Sequence, residues 1–253
     1  MVMSGRVSAY FLSDAHLGAR CLADARETER RLVRFLDSIK GDATHIFLLG
    51  DILDYWFEYK DVVPKGHVRL FGKLAELADS GVHIEWLAGN HDIWLFGYFR
   101  EELGIETYDG SRIVTLVGKK FFLNHGDTVG WRKPSFRFIQ SFFRNKICQK
   151  LFSGIHPRWT VPFALWWSRK NRESDSEPTF DADKNSLVKF SKEYLAEHPD
   201  MDYFIFGHLH VMAKTTVEAA GADAEVVILG EWLKLCSYAH FDGKLLNLRC
   251  FEG

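Results

Sequence analysis

The 253-residue, 29.2 kDa sequence is 47% hydrophobic and 26% charged, the balance of a globular protein with room for one full-sized catalytic domain and an insertion, which excludes disordered and fibrous classes. Lys and Arg number 32 against 34 Asp and Glu, a formal charge of -2, so bulk charge gives no reason to expect nucleic acid as a partner. No window reaches the ~20 apolar residues of a spanning helix, Met1 to Tyr10 holds no signal-peptide core, and Cys21, Cys148, Cys236 and Cys250 lie too far apart for a metal or redox motif, so free thiols in the cytoplasm are expected.

In chain order, Ser8 to Leu12 reads as a short apolar strand that runs directly into Asp14-Ala-His16. Leu32, Phe35, Leu36 and Ile39 then recur at helical spacing within Thr28 to Ile39. His45 to Leu49 is a second buried strand, ending in Gly50-Asp51. A helix over His67 to Ser80, stopped by Gly81, leads to a third strand, Val82 to Ala88, ending in Gly89-Asn90-His91-Asp92. Ile113 to Val117 and Lys120 to Leu123 form a hairpin whose second strand ends in Asn124-His125-Gly126-Asp127. Farther on, Tyr203 to Phe206 runs into Gly207-His208-Leu209-His210. Strands near Lys214 to Glu218 and Val226 to Leu229, with a hairpin around Asp242-Gly243, complete a mainly antiparallel C-terminal portion. Strand, polar motif and helix in repetition predict an α/β sandwich that gathers its polar residues at the carboxyl ends of strands, where such folds place ligands.

One stretch breaks the pattern. From Thr128 to Arg172 there are ten Lys and Arg residues, among them Arg169, Lys170 and Arg172, no Asp or Glu, and a high density of Phe and Trp. This predicts a helical cap over 128–172 inserted into a core formed by 1–127 and 173–253. A polar run from Asn171 to Asp183 reads as a mobile loop, and a helix over Asp183 to Glu197 returns the chain to the sheet. For any single Phe in the cap, packing into the cap's own core is the expectation. The all-basic charge pattern points instead to an anionic ligand, and the aromatics to acyl chains or a membrane interface.

Asp14, His16, Asp51, Asn90, His125, His208 and His210 all follow strands. Phosphoester hydrolysis needs a strong nucleophile and cancellation of charge developing on oxygen. Two divalent cations about 3.5–4 Å apart supply both. Residues i and i+2 of an extended segment face one side, so Asp14/His16 and His208/His210 can each present two ligands to one point. Imidazole and oxygen donors without thiolate favour Mn²⁺, Fe²⁺ or Zn²⁺ over Ca²⁺ or Mg²⁺, and donor chemistry does not choose among the three; two divalent ions, Mn²⁺ foremost, are the expected cofactors.

The motifs Asp14-x-His16, Gly50-Asp51-x-x-Asp54, Gly89-Asn90-His91-Asp92, His125-Gly126-Asp127 and Gly207-His208-x-His210 resemble the signature of calcineurin-like metallophosphoesterases. The resemblance implies a four-layer αββα sandwich. It also implies one metal held by Asp14, His16, Asp51 and His210, and a second by Asp51, Asn90, His125 and His208, with Asp51 bridging. His91 falls where the family places a group that protonates the leaving group or binds a phosphoryl oxygen, and Asp92 would orient it.

Protein phosphatases of this superfamily carry Asp-Arg-Gly in the second motif, where this chain has Asp54-Tyr55-Trp56. Trp56, the compact length and the basic aromatic insertion are instead similar to the UDP-2,3-diacylglucosamine pyrophosphatase group of lipid A biosynthesis, whose best-known members have Arg at the place of His91. That likeness implies attack by metal-bound hydroxide on the UMP-side phosphorus, a nucleotide-linked glycolipid substrate, and peripheral contact with the inner face of the cytoplasmic membrane. His91, Arg169, Lys170 and Arg172 are then the candidate substrate contacts. Two rival readings remain at this point, a nuclease or cyclic-nucleotide phosphodiesterase using the same metals, and a non-catalytic scaffold.

Overall fold

The computed structural model describes residues 7–19, 24–131, 134–173 and 180–252, apart from the side chains at 167, 169 and 171–173. The N-terminal part alternates strand and helix: β1 (Ala9–Leu12), α1 (Ala25–Ile39), β2 (His45–Leu49), α2 (Val68–Asp79), β3 (His83–Leu87), α3 (Tyr98–Leu103) and β4 (Glu106–Tyr108). Helix α1 starts because the Asp24 carboxylate accepts the Arg26 and Glu27 backbone N–H groups, and its Leu32, Phe35, Leu36 and Ile39 are buried as one face. A hairpin follows, β5 (Arg112–Leu116) and β6 (Lys119–Asn124). Three helices come next: α4 (Pro134–Arg144), α5 (Lys146–Ser153) and α6 (Pro157–Glu173). After α7 (Ser186–Glu197), which Asn185 caps, the chain closes with β7 (Tyr203–Phe206), β8 (Met212–Ala219), β9 (Ala222–Leu229), β10 (Ser237–Phe241) and β11 (Leu246–Cys250).

These strands form two sheets, one ordered β11-β10-β1-β2-β3-β4 and the other β5-β6-β7-β9-β8. Strands β1 to β4 run parallel, and so do β6, β7 and β9, so the C-terminal portion is less antiparallel than the sequence suggests. Alternation of side chains across each strand explains the layering. Ala9, Phe11, Phe47 and Leu49 of the first sheet meet Phe121, Leu123, Tyr203, Ile205, Val227 and Leu229 of the second in one core. Their neighbours Tyr10, Leu12, Ile46, Leu48 and Trp86 point the other way, against α1, α2 and α3. On the far side Phe122, Phe204, Phe206 and Val226 pack with Leu187 and Leu195 of α7. The result is four layers, helix, sheet, sheet and helix. Covered on both faces, the strands are almost continuously apolar, as β1 and β7 are. Each fully buried large side chain contributes about 1.5–3 kcal/mol.

Helices α4 to α6 lie against the edge of this sandwich. Phe143, Phe152, Val161, Ala164 and Leu165 pack on Tyr55, Phe57, Ile93 and Trp94, and the Trp94 indole N–H donates to the Phe143 carbonyl at 3.0 Å. The rest of their apolar surface faces outward. Neither α4 nor α5 has a fully buried residue, and Phe138, Ile147, Leu151 and Trp159 are at least 70% exposed. The expectation that a given Phe here packs inward therefore fails for Phe138, Phe142 and Phe163, because the buried cluster forms only on the face turned to Tyr55, Phe57, Ile93 and Trp94. Helix α6 extends to Glu173, and much of the run expected as a mobile loop lies at 174–179, outside the described residues. Cys148, Cys236 and Cys250 are free thiols, while Cys21 lies outside the described residues.

Candidate metal centre

The carboxyl ends of β1, β2, β3, β6 and β7 converge, and the turns that leave them are stitched together. Asp14 N–H donates to the Gly50 carbonyl at 3.1 Å and His16 N–H to the Asp51 carbonyl at 2.9 Å. Gly207 N–H donates to the His125 carbonyl, and His208 N–H to Asp14 Oδ2, both at 2.9 Å. Asp14, His16, Asp51, His208 and His210 all have positive φ, between 43° and 69°. Asp14 and His16 thus converge because each backbone turns left-handed, and the i, i+2 geometry of an extended segment does not apply. Two glycines make room for the crowding. Gly50 has φ +83°, and a Cβ there would lie 2.7 Å from the Gly89 backbone, while a Cβ on Gly89 would lie 2.2 Å from Asp51 Oδ1.

Asp51 sits at the middle. Its Oδ1 accepts the His91 backbone N–H at 2.8 Å. Its Oδ2 faces three imidazole nitrogens, His125 Nε2 at 3.3 Å, His16 Nε2 at 3.8 Å and His91 Nε2 at 4.0 Å. On one flank, Asp14 Oδ1 is 3.2 Å from His210 Nε2 and 3.7 Å from His16 Nε2, and the two imidazole Nε2 atoms face each other at 3.0 Å. Donor atoms of Asp14, His16 and His210, of His16, Asp51 and His91, and of Asp14, Asp51 and His125 form three overlapping groups, each within 4.8 Å. The His208 ring lies edge-on to His125, with centroids 5.1 Å apart.

The donors fit a cation. Asp14 Oδ1, Asn90 Oδ1 and His125 Nε2 are buried and make no hydrogen bond, an arrangement that costs free energy unless something positive is shared among them. His125 Nδ1–H donates to the Leu49 carbonyl at 2.8 Å, which leaves Nε2 as the atom free for a cation or a proton. Burial alone would raise the Asp14 and Asp51 carboxyls, but the surrounding imidazoles outweigh it and hold both below the usual carboxylate range. Burial works against an imidazolium at His125, yet the Asp51, Asp14 and Asp127 carboxylates raise it well above its ordinary value. Tight clusters of anionic carboxylates and imidazoles that attract a proton this strongly will also attract a metal ion.

Asp92 does not orient His91. Its carboxylate accepts the backbone N–H groups of Gly89 (2.8 Å), Asp51 (3.0 Å), Ile52 (3.0 Å) and Leu53 (3.3 Å), and the Trp86 indole N–H (3.3 Å). It therefore ties the β2 and β3 turns together from below. Burial and the Asp51 charge push its carboxyl up to about 6. Asp54 stands where Asp92 was expected: its carbonyl accepts His91 Nδ1–H at 3.2 Å, and its Oδ1 lies 3.5 Å from the same nitrogen.

A cleft open to solvent leads from this centre along helices α4 and α6. Asp54, Asn90 and His91 line its floor, and Phe136, Ile139, Phe143, Phe152 and Phe163 its walls, with Arg144 and Gln140 among them. Of the basic residues singled out in the sequence, Lys170 is exposed, its ammonium 5.4 Å from the Trp166 ring centroid. The side chains of Arg169 and Arg172 lie outside the described residues. Among the described residues, Arg144 lines the cleft, bridging Asp109 at 2.9 Å and the buried Asp127 at 3.3 Å. Nothing in its spacing marked it among ten basic residues.

Residues 8–212 match the family model described as calcineurin-like phosphoesterase. A "UDP-2,3-diacylglucosamine hydrolase" of Porphyromonas gingivalis is 42% identical, covering 98% of both chains. One of Yersinia enterocolitica with the same name is 27% identical over 96% of this chain and 95% of its own. Among solved structures, zinc-bound Vps29 of Entamoeba histolytica aligns at 12% identity with a TM-score of 0.43, covering 96% of this chain and 90% of that one.

Proposed function

Because the chain belongs to the calcineurin-like phosphoesterase family, we propose that it is a metal-dependent hydrolase that cleaves the pyrophosphate of UDP-2,3-diacylglucosamine, giving UMP and 2,3-diacylglucosamine 1-phosphate. The observation that carries the substrate class is the cleft, whose floor belongs to the Asp/His centre and whose walls are Phe and Ile side chains of the cap. A phosphate joined to acyl chains needs such a passage from charged to apolar surroundings. The 42% identity to the Porphyromonas gingivalis hydrolase over 98% of both chains supports the same reading.

Two divalent cations, Mn²⁺ first and Fe²⁺ or Zn²⁺ as alternatives, would be held here, one by Asp14, His16, Asp51 and His210 and the other by Asp51, Asn90, His125 and His208. When bound, they supply positive charge for the phosphoryl oxygens and an activated water. The chain's own residues do the rest. His91 has Nδ1–H on the Asp54 carbonyl, so its Nε2 is the atom turned to the phosphoryl group, and in the imidazolium form it binds an oxygen or delivers its proton to the leaving phosphate. In the reaction a water oxygen joins the UMP-side phosphorus, the bond to the bridging oxygen breaks, and that oxygen departs with the lipid phosphate. The aromatic walls seat the acyl chains and keep bulk water from the reacting bond.

No described helix is long and apolar enough to cross a membrane. The exposed Phe138, Ile147, Leu151 and Trp159, on a segment without acidic residues, fit peripheral contact with the anionic inner face of the cytoplasmic membrane, where such a substrate resides. Incubation of the purified protein with Mn²⁺ and UDP-2,3-diacylglucosamine tests the substrate. UMP release is the expected result, and hydrolysis of a generic diester without UMP release would overturn the assignment.

A further inference from the structure

Asp54 connects two parts of the molecule that the reaction requires to act together. It is 3% exposed and lies below His91 and His16, its Oδ1 3.5 Å from His91 Nδ1 and 3.6 Å from His16 Nδ1. A contact from helix α6 also reaches it. The Ser168 hydroxyl on α6, also 3% exposed, donates to the carboxylate, 2.9 Å from Oδ1 and 3.1 Å from Oδ2. Asp54, His91 and Ser168 all line the same cleft. A carboxylate can rotate about its terminal torsion, and a donor placed across both oxygens fixes that rotation. A fixed anion beside Nδ1 in turn keeps a proton on that nitrogen and holds the ring with Nε2 toward the substrate, where it donates when the ring carries a proton on both nitrogens.

We infer that Ser168 is a positioning residue for His91: through Asp54 it makes the orientation of the leaving-group imidazole depend on α6 being seated over the cleft. Lipid binding and phosphoryl chemistry are thereby linked, since the helix that walls the acyl passage also holds the carboxylate behind the reacting histidine. This rests on the reading of His91 given above, but its spectroscopic test requires no substrate. A second polar tie on the same helix serves as the comparison. Thr160 Oγ1 and the Tyr59 hydroxyl lie 2.6 Å apart, a pair that does not include Asp54.

Three variants separate positioning from general loosening of the cap. Removing a charge-assisted buried hydrogen bond should lower kcat of Ser168→Ala about ten-fold, with KM changed less than about two-fold. Ser168→Thr, which keeps the hydroxyl, should recover most of it, and Thr160→Val should keep wild-type kcat. In metal-free protein at one fixed pH, the ¹⁵N shifts of the His91 ring should move toward a mixed-tautomer pattern in Ser168→Ala and not in Thr160→Val. Equal kcat losses in Ser168→Ala and Thr160→Val, or His91 ring shifts unchanged in Ser168→Ala, would overturn the inference. Absence of UMP release from every form, with the ring shifts moving as expected, would instead refute only the substrate assignment.

Discussion

Replacing Gly89 by Ala should destroy the metal centre while leaving the fold standing, and the structure sets both magnitudes. The added Cβ would lie 2.2 Å from Asp51 Oδ1 and 2.4 Å from the Asp51 backbone N, so the Asp51 carboxylate or the β3 turn must retreat by about 1 Å to reach ordinary contact. Overpacking of this kind costs about 1–3 kcal/mol, which a domain of ordinary stability, about 5–15 kcal/mol, survives. At ~2–4 °C per kcal/mol for a chain of this size, the midpoint of metal-free unfolding should fall by ~2–12 °C. Metal ligands tolerate only about 0.2 Å of misplacement. A shift several times larger at the residue that faces three imidazoles should weaken Mn²⁺ binding at least ~100-fold, the scale on which supporting residues alone already act. Isothermal titration with Mn²⁺ measures the affinity, and calorimetric unfolding the stability. Gly72→Ala is the control: it lies within α2 with open space around the added methyl, and should gain about 0.5–1 kcal/mol with metal binding unchanged. Wild-type Mn²⁺ affinity in Gly89→Ala would refute the claim that this backbone approach positions Asp51.

Two further outcomes are expected. In the metal-free protein, Asp92 is raised from 3.8 to about 6 and His125 lies well above 6.5, so the folded state holds protons that the unfolded chain has released. Stability should therefore decline as pH rises, first through 3.8 to about 6 for Asp92 and then from 6.5 up through the raised pKa of His125. The lowered Asp14 and Asp51 act oppositely and only in acid, below 3.8. Bound metal replaces the His125 proton, so the gain in Tm on adding Mn²⁺ should grow with pH across neutrality, and scanning calorimetry with and without metal would show a constant gain if this reasoning is wrong. For the membrane reading, changing Phe138, Leu151 and Trp159 together to Ser should abolish co-sedimentation with anionic phospholipid vesicles while hydrolysis of a water-soluble diester stays unchanged. Equal co-sedimentation of the variant and the parent would remove these exposed residues from membrane contact.

The layers of the sandwich were readable in the sequence because local pattern decides them. A strand covered on both faces must be apolar throughout, and β1, β2 and β7 announce themselves that way. The candidate ligands were equally visible, since Asp14, Asp51, Asn90, His125 and His208 each stand directly beyond a strand. Pairing was less legible. Nothing within Tyr203–Phe206 says that β7 lies parallel to both β6 and β9, as the partners are set by packing between layers. The cap was readable as helical and basic, but composition could not say which aromatics turn inward. Phe143 and Phe152 do so because Trp94 and Phe57 meet them, a long-range fact. Arg144 and Ser168 were invisible for the same reason, since their partners, Asp127 and Asp54, are 17 and 114 residues away in sequence.

Asp92 and the positive φ angles show where local reasoning singles out residues for a reason that the structure does not bear out. Asp92 adjoins His91 in sequence, which suggests a catalytic pair, yet its carboxylate takes five N–H groups beneath the turns. The i, i+2 argument likewise selected Asp14/His16 and His208/His210, but all four residues are left-handed, with φ between 43° and 69°. For non-glycine residues such a conformation costs about 1–3 kcal/mol each and persists only where surrounding structure enforces it. That enforcement is the observed network: Asp92 under the β2 and β3 turns, Asp14 Oδ2 on the His208 N–H, and the Gly50 and Asp51 carbonyls on the β1 turn. Each of these contacts spans separate strands, so the strain is held by the assembled sandwich and by no single motif. On the metal reading, Asp and His stand here for their donor atoms even where the backbone would favour glycine, and the glycines stand where only a missing side chain lets the turns approach, at Gly50 and Gly89. The division follows from the chemistry: positions that must present a donor bear the strain, and adjacent positions that present none supply the space.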